Sequence, residues 1–160
     1  MDKQALAQLI EELIPFNKFL GIKCVTIDDG FVRIELPWRA EFIGDPMRPA
    51  MHGGVISTMA DVAGGMAVWS SLMDPNARVS TIDLRVDYLR PGRLATLVAE
   101  GHVVRTGNRV AVVDVKLFHP TDEAPVPHAR AKGESGPPLS DVIATGKGVY
   151  NVKLVKPPSQ

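Results

Sequence analysis

Apolar residues near the start of the chain recur at intervals of three and four. Leu6, Leu9, Ile10 and Leu13 share one side of an otherwise polar stretch, which predicts an amphipathic helix over residues 2–14, ended by Pro15. The period then drops to two. Residues 22–27 and 31–36 read as strands joined by Asp28-Asp29-Gly30, a turn suited to a hairpin. In the second strand Val32, Ile34 and Leu36 oppose Arg33 and Glu35, the signature of a half-buried strand. Residues 43–51 hold Gly44, Pro46 and Pro49 and read as a loop.

A long apolar stretch follows. Between His52 and Met73 the ionisable groups are His52 and Asp61. Its length matches a hydrocarbon layer of about 30 Å. It also carries Gly53, Gly54, Gly64, Gly65 and several hydroxyl residues, and a mid-helix carboxylate is costly in lipid. A helix buried inside a water-soluble fold is therefore expected, with no membrane partner.

Downstream the alternation returns. Ile82, Leu84, Val86 and Tyr88 fall on one side, and Thr81, Asp83, Arg85 and Asp87 on the other. Pro91-Gly92 turns the chain, residues 94–104 return, Thr106-Gly107-Asn108 turns it again, and residues 110–118 and 126–132 read as further strands. Short turns imply antiparallel neighbours. The expected class is α+β, with an antiparallel sheet wrapped around one long central helix. The expected divisions are a helix at 1–15, the main domain at 16–134, and a Gly- and Pro-rich extension at 135–160 that is flexible in part.

Composition narrows the function. The 160 residues include 18 basic and 18 acidic groups, without the basic excess that nucleic-acid binding requires. The balance is a cancellation, with a net −4 over residues 1–77 and +4 over residues 78–160. Cys24 has no intrachain partner, and His52, His102, His119 and His128 show no ligand-like spacing, so no metal site is indicated. Charges among the first twenty residues interrupt any signal-peptide core, and the expected compartment is the cytoplasm.

Two features could carry chemistry. Asp61 is an isolated carboxylate in an apolar helix, a costly arrangement that is enriched at functional sites. His52-Gly53-Gly54 opens the same helix, where free backbone N–H groups can stabilise negative charge growing on a carbonyl oxygen. The same glycines would also suit a close-packed turn, and His52 could simply anchor the preceding loop. Eight residues of helix separate Gly53 from Asp61 by about 12 Å. If both act on one carbonyl they come from different subunits, which predicts a dimer with shared sites.

The segments MHGGVISTMADVAGGMAV, STIDLRVDYLRPG and VVRTGNRVAVV, taken together, resemble the hotdog-fold acyl-CoA thioesterases of the PaaI type over about residues 16–134. The resemblance implies a sheet curled round the central helix, subunit pairing into a continuous sheet, and often a dimer of dimers. It implies that Asp61 attacks the thioester or activates water, that the N–H of Gly53 polarises the carbonyl, and that Thr81 helps position water. The family's usual asparagine before the HGG is absent, and Asp45 is the nearest substitute. Gly54, Asp45, Met47 and Met51 are candidate substrate contacts, with Arg90, Arg93, Arg105 and Arg109 for the phosphates of coenzyme A. The substrate would be an acyl-CoA, hydrolysed to acid and thiol without a separate cofactor. A hydratase or dehydratase using His52 with Asp61, or a non-catalytic acyl-CoA binder, are the alternatives.

Overall fold

The computed structural model describes residues 2–120 and 142–154. Helix α1 (Lys3–Gln8) runs into a single π-turn (Leu9–Leu13), and α2 (Pro15–Leu20) follows. Pro15 does not simply end the first helix. It opens the second, where its missing N–H costs nothing and its φ is already helical. Leu6 and Ile10 are fully buried, and the Asn17 amide donates to the Ile10 carbonyl at 3.0 Å, tying the two helices together.

The hairpin appears as expected, with β1 (Lys23–Asp28) and β2 (Phe31–Leu36) joined through Gly30 at φ +68°. Residues 43–51, expected as a loop, form a small two-stranded ribbon of β3 (Ile43–Asp45) and β4 (Ala50–Met51). Helix α3 (Gly53–Leu72) leads into β5 (Ala77–Tyr88), β6 (Leu97–Thr106), β7 (Val110–Phe118) and β8 (Val142–Leu154).

The strand order is β1-β2-β6-β7-β8-β5, antiparallel throughout, with α3 packed on its inner face. Ile56, Met59, Ala60, Ala63, Ala67 and Val68 form the buried stripe of the helix. Gly101 on β6 lets the helix backbone come close, because a Cβ there would lie 2.3 Å from the Ala63 carbonyl oxygen. The architecture is the hotdog arrangement expected. Helix α3 has the length and hydropathy of a membrane span, but its packing fits a core helix.

Two expectations fail on strand pairing. The turn at Pro91-Gly92 does not make β5 and β6 neighbours, since β7 and β8 lie between them in the sheet. Residues 142–154 are not an appendage outside the domain, because β8 is an interior strand paired with β7 on one side and β5 on the other. Gly146 and Gly148, two of the glycines that suggested a loosely structured tail, are sites of close approach within that strand. The strand expected at 126–132, and His128 with it, lie outside the described residues.

Candidate active site

Helix α3 presents a second stripe away from the sheet core. Ser57, Thr58, Asp61, Val62, Gly65, Met66 and Trp69 recur at helical spacing and line one wall of a cleft of about 560 Å³. Val79, Ser80, Thr81 and Leu84 of β5, Tyr150 of β8, and Ile14, Phe16 and Asn17 of the N-terminal segment complete it. Asp61 is half-buried on this open face, not sealed in the core as the apolar sequence around it suggested.

Thr81 enters the cleft through an irregularity that the sequence pattern conceals. Strict alternation places Thr81 on the face opposite Leu84. The register between β5 and β8 instead slips between Thr81 and Asp83, so Ile82 is bulged out at 58% exposure while Thr81 and Leu84 both line the cleft. The Thr81 hydroxyl donates to Asp61 Oδ1 at 2.7 Å.

Directly across from Thr81 in the ladder is Tyr150. Its hydroxyl donates to the Asp61 carbonyl oxygen at 3.1 Å and lies 3.4 Å from Oδ1. Burial first, then the charge of Asp61, push the tyrosine hydroxyl well above its ordinary range, so it remains a protonated donor. Asp61 Oδ2 has no hydrogen-bond partner among the described residues.

At the start of α3, His52 is the N-cap. Its Nδ1 accepts from the Gly54 N–H at 2.9 Å, and its carbonyl accepts from Val55. This explains one glycine of the motif, because a Cβ at position 54 would meet the folded-back imidazole at 2.9 Å. It also separates the two glycines chemically. The Gly54 N–H is occupied, whereas the Gly53 N–H has no partner among the described residues. Tyr88 steadies this first turn by donating to the Gly53 carbonyl at 3.0 Å, and Ser57 donates to the same oxygen at 3.2 Å.

The remaining sequence candidates do not converge on Asp61 within one chain. Asp45 caps its own loop, accepting from the N–H groups of Met47 and Arg48 at 2.9 and 3.1 Å, and these bonds hold its carboxyl below the usual range. Met47 is 88% exposed and lines no part of the cleft. The arginines divide between the two ends of α3. Arg90 bonds the backbone of β8 beside the helix start, its N–H donating to Ile143, and Arg93 donates its N–H to His119. Arg105 and Arg109 flank the β6–β7 turn, whose Thr106 meets Ser71 at the other end of the helix.

Two tyrosines of the site do not stand out in the sequence. Tyr88 reads there only as part of a strand face, and Tyr150 falls within the extension expected at 135–160. The apolar pairs flanking Gly146 and Gly148 were the available signal for a strand there. Among the described residues no cluster of three or more His, Cys, Asp or Glu side chains could hold a metal ion.

A sequence profile of the thioesterase superfamily matches residues 49–126, spanning the helix start, Asp61 and strand β5 of the cleft. The medium/long-chain acyl-CoA thioesterase YigI of Salmonella typhimurium is 34% identical over 130 residues, covering 74% of this chain and 83% of that protein. This chain belongs to the thioesterase superfamily. Like other members, it is a thioester hydrolase. A provisionally named esterase of Halobacterium salinarum is 38% identical over 125 residues, covering 77% of this chain and 82% of that protein. A solved thioesterase-superfamily structure from Shewanella oneidensis superposes with a TM-score of 0.73 at 29% identity, covering 94% of each chain. The PaaI protein of the Escherichia coli phenylacetic acid degradation operon shares the fold, with a TM-score of 0.70 at 21% identity over 92% of this chain and 91% of that one.

Proposed function

We propose that this thioesterase hydrolyses acyl-CoA, with Asp61 driving attack on the thioester and the Gly53 N–H stabilising the oxyanion. The observation that carries the reading is the state of the Asp61 carboxylate. One oxygen is held by Thr81 at 2.7 Å and the other has no partner among the described residues, at the wall of an otherwise largely apolar cleft. Such an oxygen can take a proton from water or attack the acyl carbon itself. Negative charge then develops on the thioester oxygen, and a free N–H at a helix start suits it. Collapse expels the thiolate of coenzyme A, which arrives as half of the substrate and is not a resident cofactor.

Asp61 and Gly53 lie about 12 Å apart along α3, so the working site takes Asp61 from one subunit and Gly53 from another. The enzyme is thus a homodimer at least. The acyl group lies along Phe16, Val62, Met66, Trp69 and Val79, a wall suited to the medium or long chains for which YigI is named. The half-buried thiol of Cys24 fits a reducing cytoplasm.

A hydratase would need His52 as its base. That imidazole is occupied at Nδ1 by the helix cap, so no observation favours the alternative. The test is hydrolysis of an acyl-CoA panel by the wild type and Asp61→Ala, followed by thiol release. Turnover by the wild type and loss of at least about a hundredfold in the variant are expected. Undiminished turnover by the variant would overturn the assignment of Asp61.

A further inference from the structure

Tyr150 is the least expected residue at the cleft. It comes from β8, beyond the residues matched by the superfamily profile, and stands directly across the ladder from Thr81. The sheet therefore delivers two hydroxyls side by side beneath one helix residue, Asp61.

The ring is locked. Tyr150 is 1% exposed and fits against two glycines, Gly64 on α3 and Gly148 on its own strand. A Cβ at position 64 would stand 2.3 Å from its hydroxyl oxygen, and one at position 148 would stand 2.8 Å from it. The hydroxyl's proton has a defined direction as well. The tyrosine's own hydrogen faces two acceptors on one residue, the Asp61 carbonyl oxygen at 3.1 Å and Oδ1 at 3.4 Å.

We propose that Tyr150 is a positioning residue for Asp61: its hydroxyl anchors the helix backbone and Oδ1 together, so that Oδ2 is the oxygen that acts on the substrate. This rests on the reading of Asp61 as the group that drives hydrolysis. The carboxyl torsion of an aspartate is broad and roughly two-fold, so one bond from Thr81 leaves the two oxygens free to exchange roles. A second donor from the neighbouring strand removes that freedom. Both donors act on one oxygen, which fixes where the reactive oxygen sits. Tyr150 itself takes no part in bond making.

The experiment compares the wild type with Tyr150→Phe, which keeps the ring and removes only the hydroxyl. Acyl-CoA hydrolysis is measured together with thermal unfolding and crystal structures of both proteins. Expected are a kcat lower by about tenfold, a KM within about twofold of the wild type, and an Asp61 carboxylate that turns away from its wild-type torsion or divides between two. An unchanged kcat would overturn the proposal. So would a loss in which Tm falls with kcat while the carboxylate keeps its torsion, since that is a packing defect. The carboxylate torsion reads the contact without turnover. If the wild type hydrolyses no thioester, the proposed function fails, and this torsion still decides the positioning role. A torsion that moves or divides in Tyr150→Phe supports the role, and an unchanged torsion overturns it.

Discussion

Gly64 and Gly65 are adjacent on α3, yet alanine at the two positions should shift stability in opposite directions. Replacing glycine inside a helix by alanine gains about 0.8–1.0 kcal/mol from backbone entropy and propensity alone. At position 65 the new methyl would meet the Tyr150 ring at 3.5 Å, an ordinary contact, so Gly65→Ala should raise Tm by about 2–4 °C. At position 64 it would stand 2.3 Å from the Tyr150 hydroxyl and 3.0 Å from the carbon bearing it. The ring is fully buried and cannot swing away, so overpacking of about 1–3 kcal/mol adds to the loss of a hydrogen bond worth about 1 kcal/mol. After subtracting the propensity gain, Gly64→Ala should cost about 1–3 kcal/mol and lower Tm by about 3–10 °C. Removing the hydroxyl first should relieve part of the clash, so Gly64→Ala should cost about 1 kcal/mol less in a Tyr150→Phe background. The assay is urea and thermal unfolding of the four single and double variants. Equal stabilisation at both glycines, or additive costs in the double variant, would refute the placement of Tyr150 against α3.

Other predictions concern the core and its buried groups. Gly101→Ala would set a methyl 2.3 Å from the Ala63 backbone oxygen, which cannot move without shifting α3, so a loss of about 2–3 kcal/mol is expected in urea unfolding. Desolvation first, then Glu11, push the Cys24 thiol up to about 11. Its alkylation by iodoacetamide near pH 7.5 should thus be about two orders of magnitude slower than for a free thiol, rising about tenfold per pH unit up to about pH 10. A plateau near pH 9 would contradict this. Desolvation holds His119 below the ordinary imidazole range, with Arg93 acting in the same direction and the Thr96 carbonyl opposing both. The unfolded chain then binds this proton first, so stability should fall as pH drops below about 6.5. His119→Gln should flatten that part of the urea midpoint curve.

The periodicity of residues 31–36 and the long apolar helix were legible because one face of each is buried, and burial writes itself into alternation. The phase of β5 was not legible beyond Thr81. A bulge inserts one residue without any change of composition, and it moved Thr81 from the outer face to the cleft. Pairing was hidden for a different reason. Sequence neighbours separated by a short turn are usually sheet neighbours, but β8 returns from the far end of the chain to lie between β7 and β5. Its glycines look like loop residues until the ring of Tyr150 and the helix are placed against them. At the site, Asp61 and the HGG were readable as chemistry. That Gly54 serves the His52 cap, while the Gly53 N–H has no partner among the described residues, becomes visible only once the imidazole is located.

The proposed chemistry requires Asp61 and the Gly53 N–H to meet across a subunit boundary. Gly53 is the first residue of α3, where proline is tolerated, and His52 already has extended backbone at φ −62° and ψ 129°. Gly53→Pro therefore deletes one N–H with little disturbance of the helix. The decisive measurement is acyl-CoA hydrolysis by Asp61→Asn, by Gly53→Pro, and by the two chains co-expressed. Each variant alone should be nearly inactive. Random pairing makes half of the dimers mixed, each with one intact site, so the co-expressed protein should recover about a quarter of wild-type activity. Recovery of none, from dimers shown to be mixed, would contradict the shared site.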